Sequence, residues 1–145
     1  MEKNATQKLY DEIRNGAHMG IDAIDEMMKK CDDKEFLDKL MQTQRDYKEI
    51  AQKAADGIIA EGGIPEELSA EARMGLHMTT KMRLAWNKND RHTMSRMILK
   101  GMDMAEKEMH RDGEAYRNAS AEAHKLADRL LEVQEKHREY FRKNI

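Results

Sequence analysis

Apolar residues recur at steps of three and four along most of the chain, and no stretch alternates apolar with polar as a half-buried strand does. The first stripe is Leu9, Ile13, Gly16/Ala17, Gly20/Ile21, Ile24, Met27/Met28 and Cys31. It predicts a core-facing helix from near Asn4 to near Lys30, with Asn4 and Gln7 at capping-box spacing. Asp32 and Asp33 break the stripe and cap a second helix, with Glu35 placed to complete a box with Asp32. That helix carries Phe36/Leu37, Leu40/Met41, Gln44, Tyr47, Ala51, Ala54/Ala55 and Ile58/Ile59. So short a link makes the two helices antiparallel neighbours. Counted outward from it, Ala17 falls opposite Tyr47 and Gly20 opposite Gln44.

Gly62-Gly63 and then Pro65 mark the next boundary. A shorter helix is predicted from about Pro65 to Trp86 through Leu68, Ala72, Gly75/Leu76, Thr79, Met82 and Trp86. It ends at Asn87-Lys88-Asn89-Asp90, where Asn89 or Asp90 suits an N-cap. The following stripe is Met94, Met97/Ile98, Gly101, Met104/Ala105 and Glu108/Met109. The last is Tyr116, Ala119, Ala123, Leu126/Ala127, Leu130, Val133/Gln134, His137 and Phe141. An unbroken helix from Asp90 to Asn144 would be on the order of 80 Å long, far longer than the first two. A reversal near Asp112-Gly113 is therefore expected. These elements predict an all-α, antiparallel four-helix-type bundle with one additional short helix, a single domain over residues 1–145.

Composition narrows function mainly by exclusion. Charged residues are 37% of the chain but the net charge is −2, so no single-sign field favours nucleic acid. No run approaches the roughly 20 apolar residues of a membrane span. The start, MEKNATQKLYDEIRNG, has no apolar core of signal-peptide length, so a cytoplasmic, soluble protein is expected. The single Cys31 excludes an internal disulfide framework and a cysteine-based zinc site. Ser69, Ser95, Ser120 and Cys31 have no Gly-rich elbow beside them, and no phosphate-binding or dinucleotide fingerprint occurs. No catalytic residue is assigned.

A helical hairpin, a crossing segment near Gly62–Leu68 and a second set of helices, with the juxtapositions Met19-Gly20, Met74-Gly75 and Gly101-Met102, resemble the ferritin-like superfamily. The likeness is nearest to the small, uncharacterised ferritin-like proteins of bacteria. It implies the fold. Di-metal members need an inward Glu on two helices and Glu-x-x-His on the other two. This chain has no Glu-x-x-His; Glu106 and His110 are four apart, Glu122 and His124 two apart. Glu12, His18 and Asp22 fall off the apolar stripe of the first helix, where the pattern turns them outward. No metal or other cofactor is therefore expected, and the ferroxidase, oxygenase or peroxidase activities of the superfamily are not carried over.

The inward polar residues are the remaining candidates for binding. Gln44 and Tyr47 sit at mid-height, where a ligand or a register-fixing hydrogen bond would need them. His137 lies on the last core stripe, where a haem ligand or a satisfied histidine fits. Thirteen of the 145 residues are methionine. Met74, Met78 and Met82 beside His77, extended by Met94, Met97, Met102, Met104 and Met109, have the softness for copper(I). Core packing explains the same spacing better. A third reading, favoured over copper, is an adaptable Met-rich surface for a protein partner or a second copy, with Met19, Met74 and Met102 at stripe edges. The function expected is thus a non-catalytic structural or interaction protein, acting as a homodimer. The alternative is a metal- or haem-binding redox or stress protein with atypical ligands. A third possibility, a stress-linked oxidant sink using exposed Met, predicts sulfoxide at Met19 and Met102 before loss of helicity.

Overall fold

The computed structural model describes residues 2–66 and 90–145. Among the described residues the fold is all-helical: α1 (Ala5–Lys30), α2 (Lys34–Ala60), α3 (Arg91–Ala115) and α4 (Ala121–Arg142). The helix predicted over about 65–86, with Met74, His77, Met78 and Met82, falls almost wholly outside the described residues. No described helix is long and apolar enough to cross a membrane.

The helix ends follow local chemistry. The Asn4 side chain accepts from the Gln7 backbone at 2.9 Å, and the Gln7 side chain accepts from the Asn4 backbone at 3.0 Å. That reciprocal pair satisfies two donors the first turn would otherwise leave open. α2 is capped by Asp33, which accepts from Phe36 N. Asp32 and Glu35 do not form the expected box, because the cap falls one residue later, at Asp33, which puts Phe36 at the third helical position; Glu35 reaches Arg91 at 3.3 Å. α2 ends in a Schellman turn: Gly62 adopts φ +82°, Gly63 N donates to Ile58 O, and Gly62 N donates to Ile59 O. Only glycine adopts that φ without strain. Asp90 caps α3 through Thr93 N at 2.7 Å.

The second reversal lies later than Gly113. α3 continues to Ala115, Tyr116 closes it, and Ser120 caps α4 through Ala123 N. Gly113 stays inside the helix, since a glycine there lowers helix propensity without forbidding it. At the end of α3 the Tyr116 N–H donates to Asp112 O, and beyond the turn the Ser120 N–H donates to Thr6 Oγ1 on α1 at 2.9 Å.

Cross-helix bonds give the directions. Thr6 beside Ser120 puts the starts of α1 and α4 at one end. The end of α2 joins them there, through Gln7 Nε2 donating to Glu61 O. At the opposite end the start of α3 meets the start of α2: Arg91 pairs with Asp33. This ion pair and the cap to Phe36 together pull the Asp33 carboxyl down to about 2. Phe36, Tyr140 and Phe141 close that end, with ring centroids 5.4–6.1 Å apart. So α2 and α3 run parallel, α1 and α4 run parallel, and the hairpin partners α1–α2 and α3–α4 run antiparallel. The chain leaves α2 at one end of the bundle and begins α3 at the other.

The core is built from the predicted stripes of α1, α2 and α4: Leu9, Ile13, Phe36, Leu40, Ala54, Leu130 and Phe141 are almost fully buried. Each large side chain among them contributes about 1.5–3 kcal/mol of burial. Two details differ from the sequence reading. Gly20 lies against the Tyr47 ring rather than opposite Gln44, a shift of about one turn in the α1–α2 register. On α3 the inward residues are Met94, Ser95, Ile98, Met102 and Met109, whereas Gly101 and Met104 are exposed. Met102 and Met104 are equally apolar, so hydropathy could not fix the α3 phase. Met102 is therefore a core residue, not a stripe edge.

Candidate functional site

Near the middle of the bundle, α2 and α4 are joined by a buried polar contact. The Tyr47 hydroxyl donates to Gln134 Oε1 at 3.0 Å. Burial pushes the Tyr47 phenol far above its ordinary range, so it remains a donor. Gln134 is 2% exposed, and its Nε2 has no hydrogen-bond partner among the described residues. Buried amide donors are rarely left so.

This pair lies beside a cavity of about 220 Å³ between α1 and α3. Met19, Met27, Met97, Met102 and Met104 line it, together with Ile24 and Ile98. Tyr47 and Gln134 line it as well, while Lys100 and Glu108 bring one charge of each sign. The reason for the opening is in the residue sizes. α1 presents Gly16, Gly20 and Ala23, and α3 presents Gly101 and Ala105. With small residues on both walls, no side chain spans the gap. A Cβ added at Gly101 meets nothing within 4 Å.

The three candidate residues from the sequence part company. Tyr47 reaches the cavity. Gln44 does not line it: its Nε2 donates to Ile21 O at 3.0 Å and to Asp25 Oδ1 at 2.6 Å, tying α2 to α1. His137 is 1% exposed and faces α2, with Nε2 2.6 Å from Asp46 Oδ2. Burial lowers the His137 imidazole, and the bond to Asp46 opposes that only in part. Burial works to raise the Asp46 carboxyl, but the hydrogen bond from His137 and the charge of Lys136 outweigh it and hold it below its usual value. His137 Nδ1 is buried without a partner among the described residues.

Gln134 was legible as a polar position on a core stripe, by the same signal that singled out Gln44. Beside Val133 it passed as part of the stripe.

Comparison with protein-family models, with curated proteins and with solved structures gives no match.

Other polar residues take structural roles. Arg138 is buried and holds Glu135 at 2.9 Å, Glu106 at 3.1 Å and Asp103 at 3.5 Å, pinning α4 to α3. His110 is surface-exposed, 3.9 Å from Glu106. Among the described residues, no three His, Cys, Asp or Glu side chains are grouped to hold a metal ion. The cavity has apolar walls, a phenol locked in its protonated form and an amide. Such a set can bind and orient an apolar molecule that carries a polar group.

Proposed function

We propose that this chain is a non-catalytic binding protein of ferritin-like arrangement, and that the α1–α3 cavity is its working site. In this reading the middle of the bundle, where di-metal relatives place carboxylates, holds Gly20, Tyr47 and Gln134. The topology supports it: α2 and α3 run parallel on either side of one long connection, as in bundles with a single crossover. The observation that carries the binding role is the cavity itself. Five methionines line it, side chains flexible enough to accept a range of apolar shapes.

Methionine methyl resonances test this directly. Titrating the protein with a small apolar molecule such as indane is expected to shift the methyls of Met19, Met97, Met102 and Met104 while leaving Met94 and Met109 in place. Gly101→Leu, which adds a side chain at a wall position where a Cβ meets nothing within 4 Å, is expected to abolish those shifts and leave the fold intact. Methyls that stay still, or that move equally in Gly101→Leu, rule the site out.

A second reading has one observation in its favour. Met104 is 52% exposed and borders the cavity, so an apolar side chain of a protein partner or of a second copy suits the opening. Met104→Glu then converts a dimer to a monomer in light scattering; a wild-type monomer at high concentration ends this reading.

A further inference from the structure

The chemistry of the cavity restricts its ligand more than its apolar walls suggest. Its volume is about 220 Å³. A cavity of about 150 Å³ lined by aliphatic and aromatic side chains holds benzene, and drug-sized ligands occupy about 300 Å³ or more. One ring with a substituent, or two fused rings, therefore fits, and a haem or a long acyl chain does not. Thioethers on facing walls, such as Met19 and Met102, favour an aromatic body through sulfur–ring contacts.

The polar end is specific in sign. Tyr47 spends its hydroxyl proton on Gln134 Oε1, so what remains at that end is the Nε2 donor, shielded from water and without a partner among the described residues. The group missing is an acceptor. A carboxylate would be carried past apolar walls to a single amide donor, a poor exchange for its hydration. Lys100 and Glu108 favour neither sign of charge.

Resting on the reading of this cavity as a binding site, we propose that its ligand is a small, neutral, one- or two-ring molecule. It carries a carbonyl-type acceptor, which receives the Gln134 Nε2 hydrogen bond once the flexible methionine side chains make room.

Three bicyclic probes of similar size separate the possibilities: indane, with no polar group; 1-indanone, with an acceptor only; and indole, with a donor only. Each is titrated against the full chain and followed by the methionine methyls. The ratio of 1-indanone to indane affinity is expected to fall about tenfold in Gln134→Met, the size of one net hydrogen bond. In the wild type the Gln134 side-chain amide protons move downfield with 1-indanone and stay in place with indane, a readout that does not depend on the variant folding. An affinity ratio that is the same in both proteins, or an amide unmoved by 1-indanone, overturns the acceptor assignment and leaves the cavity reading standing. Indole gaining over indane in the wild type overturns it by showing that the amide presents Oε1 instead. No response to any of the three probes overturns the cavity reading itself.

Discussion

α1 has two neighbouring seams, and they handle the same small residues in opposite ways. Toward α2, each glycine meets an aromatic ring. A Cβ on Gly20 would lie 2.8 Å from the Tyr47 ring, and one on Gly57 would lie 2.5 Å from the Tyr10 ring. Toward α3, Gly16 and Ala23 face Gly101 and Ala105, and the space between stays open. Small residues close a seam only when the other helix supplies something large. The chain therefore has one seam that is tightly packed and one that is open.

Breaking the packed seam has the largest expected effect. Gly20→Val drives two methyl groups into a ring that is buried and whose hydroxyl is anchored on Gln134. We expect a loss of about 3 kcal/mol, the upper range for overpacking, read as a lower urea midpoint. A midpoint within experimental error of the wild type would mean that Tyr47 swings aside freely, and the two seams would not differ.

Acid separates the seams in a second way. His137 and Asp46 join α4 to α2 on the packed side, and the methionine cavity stands apart from them. His137 titrates below its ordinary value of 6.5 in the folded protein, because burial disfavours the cation and its Nδ1 has no acceptor to meet a second proton. The unfolded chain thus takes up a proton near 6.5 that the folded chain refuses. Stability is complete above 6.5 and declines as the pH falls from there toward the lowered value. His18 on α1, lowered by its own burial and by the charge of Arg14, contributes with the same sign. Asp22 and Asp112, whose carboxyls burial raises, act in the opposite direction nearer pH 4, so the informative window is pH 7 to 5. The urea midpoint should drop across that window, and His137→Gln should flatten most of the slope. A midpoint that does not change from pH 7 to 5 contradicts the assignment.

The contrast also shows what the sequence could carry. The stripes of α1, α2 and α4 were legible because each mixes Leu, Ile, Phe or Tyr inward with charges outward, and the Asn4, Asp90 and Gly62 signals set the ends where they are observed. α3 was not, because its inward and outward faces both carry methionine and the choice between Met102 and Met104 is made by neighbouring helices. The cavity follows from that one phase. With Met102 buried, Gly101 and Ala105 stand at the wall facing α1, and the seam stays open. The Tyr47–Gln134 contact needed the relative height of α2 and α4, residues 87 apart in sequence, which no local pattern encodes.

Gly101→Ala is the mirror of the Gly20 substitution, smaller and of opposite sign. Nothing lies within 4 Å of the added Cβ, so only the gain in helix propensity remains, about 0.5–1 kcal/mol of added stability. Loss of stability in this variant would place Gly101 in a packed contact and close the cavity.

The smallest effect tests the α3 phase itself. Met104 is 52% exposed and Met102 is 2% exposed, only two positions apart on one helix. Dilute peroxide oxidises thioethers according to access. Peptide mass spectrometry should therefore find sulfoxide at Met104 well before Met102, with helicity unchanged while only Met104 is modified. This reverses the order that a Met102 at the stripe edge implies. A ligand seated in the cavity adds a control. It should slow oxidation of Met19 and Met97, which line the space, and leave Met41, exposed on α2, at its free rate. If Met102 oxidises first, Met102 is not a core residue and the α3 phase that leaves the seam open is wrong.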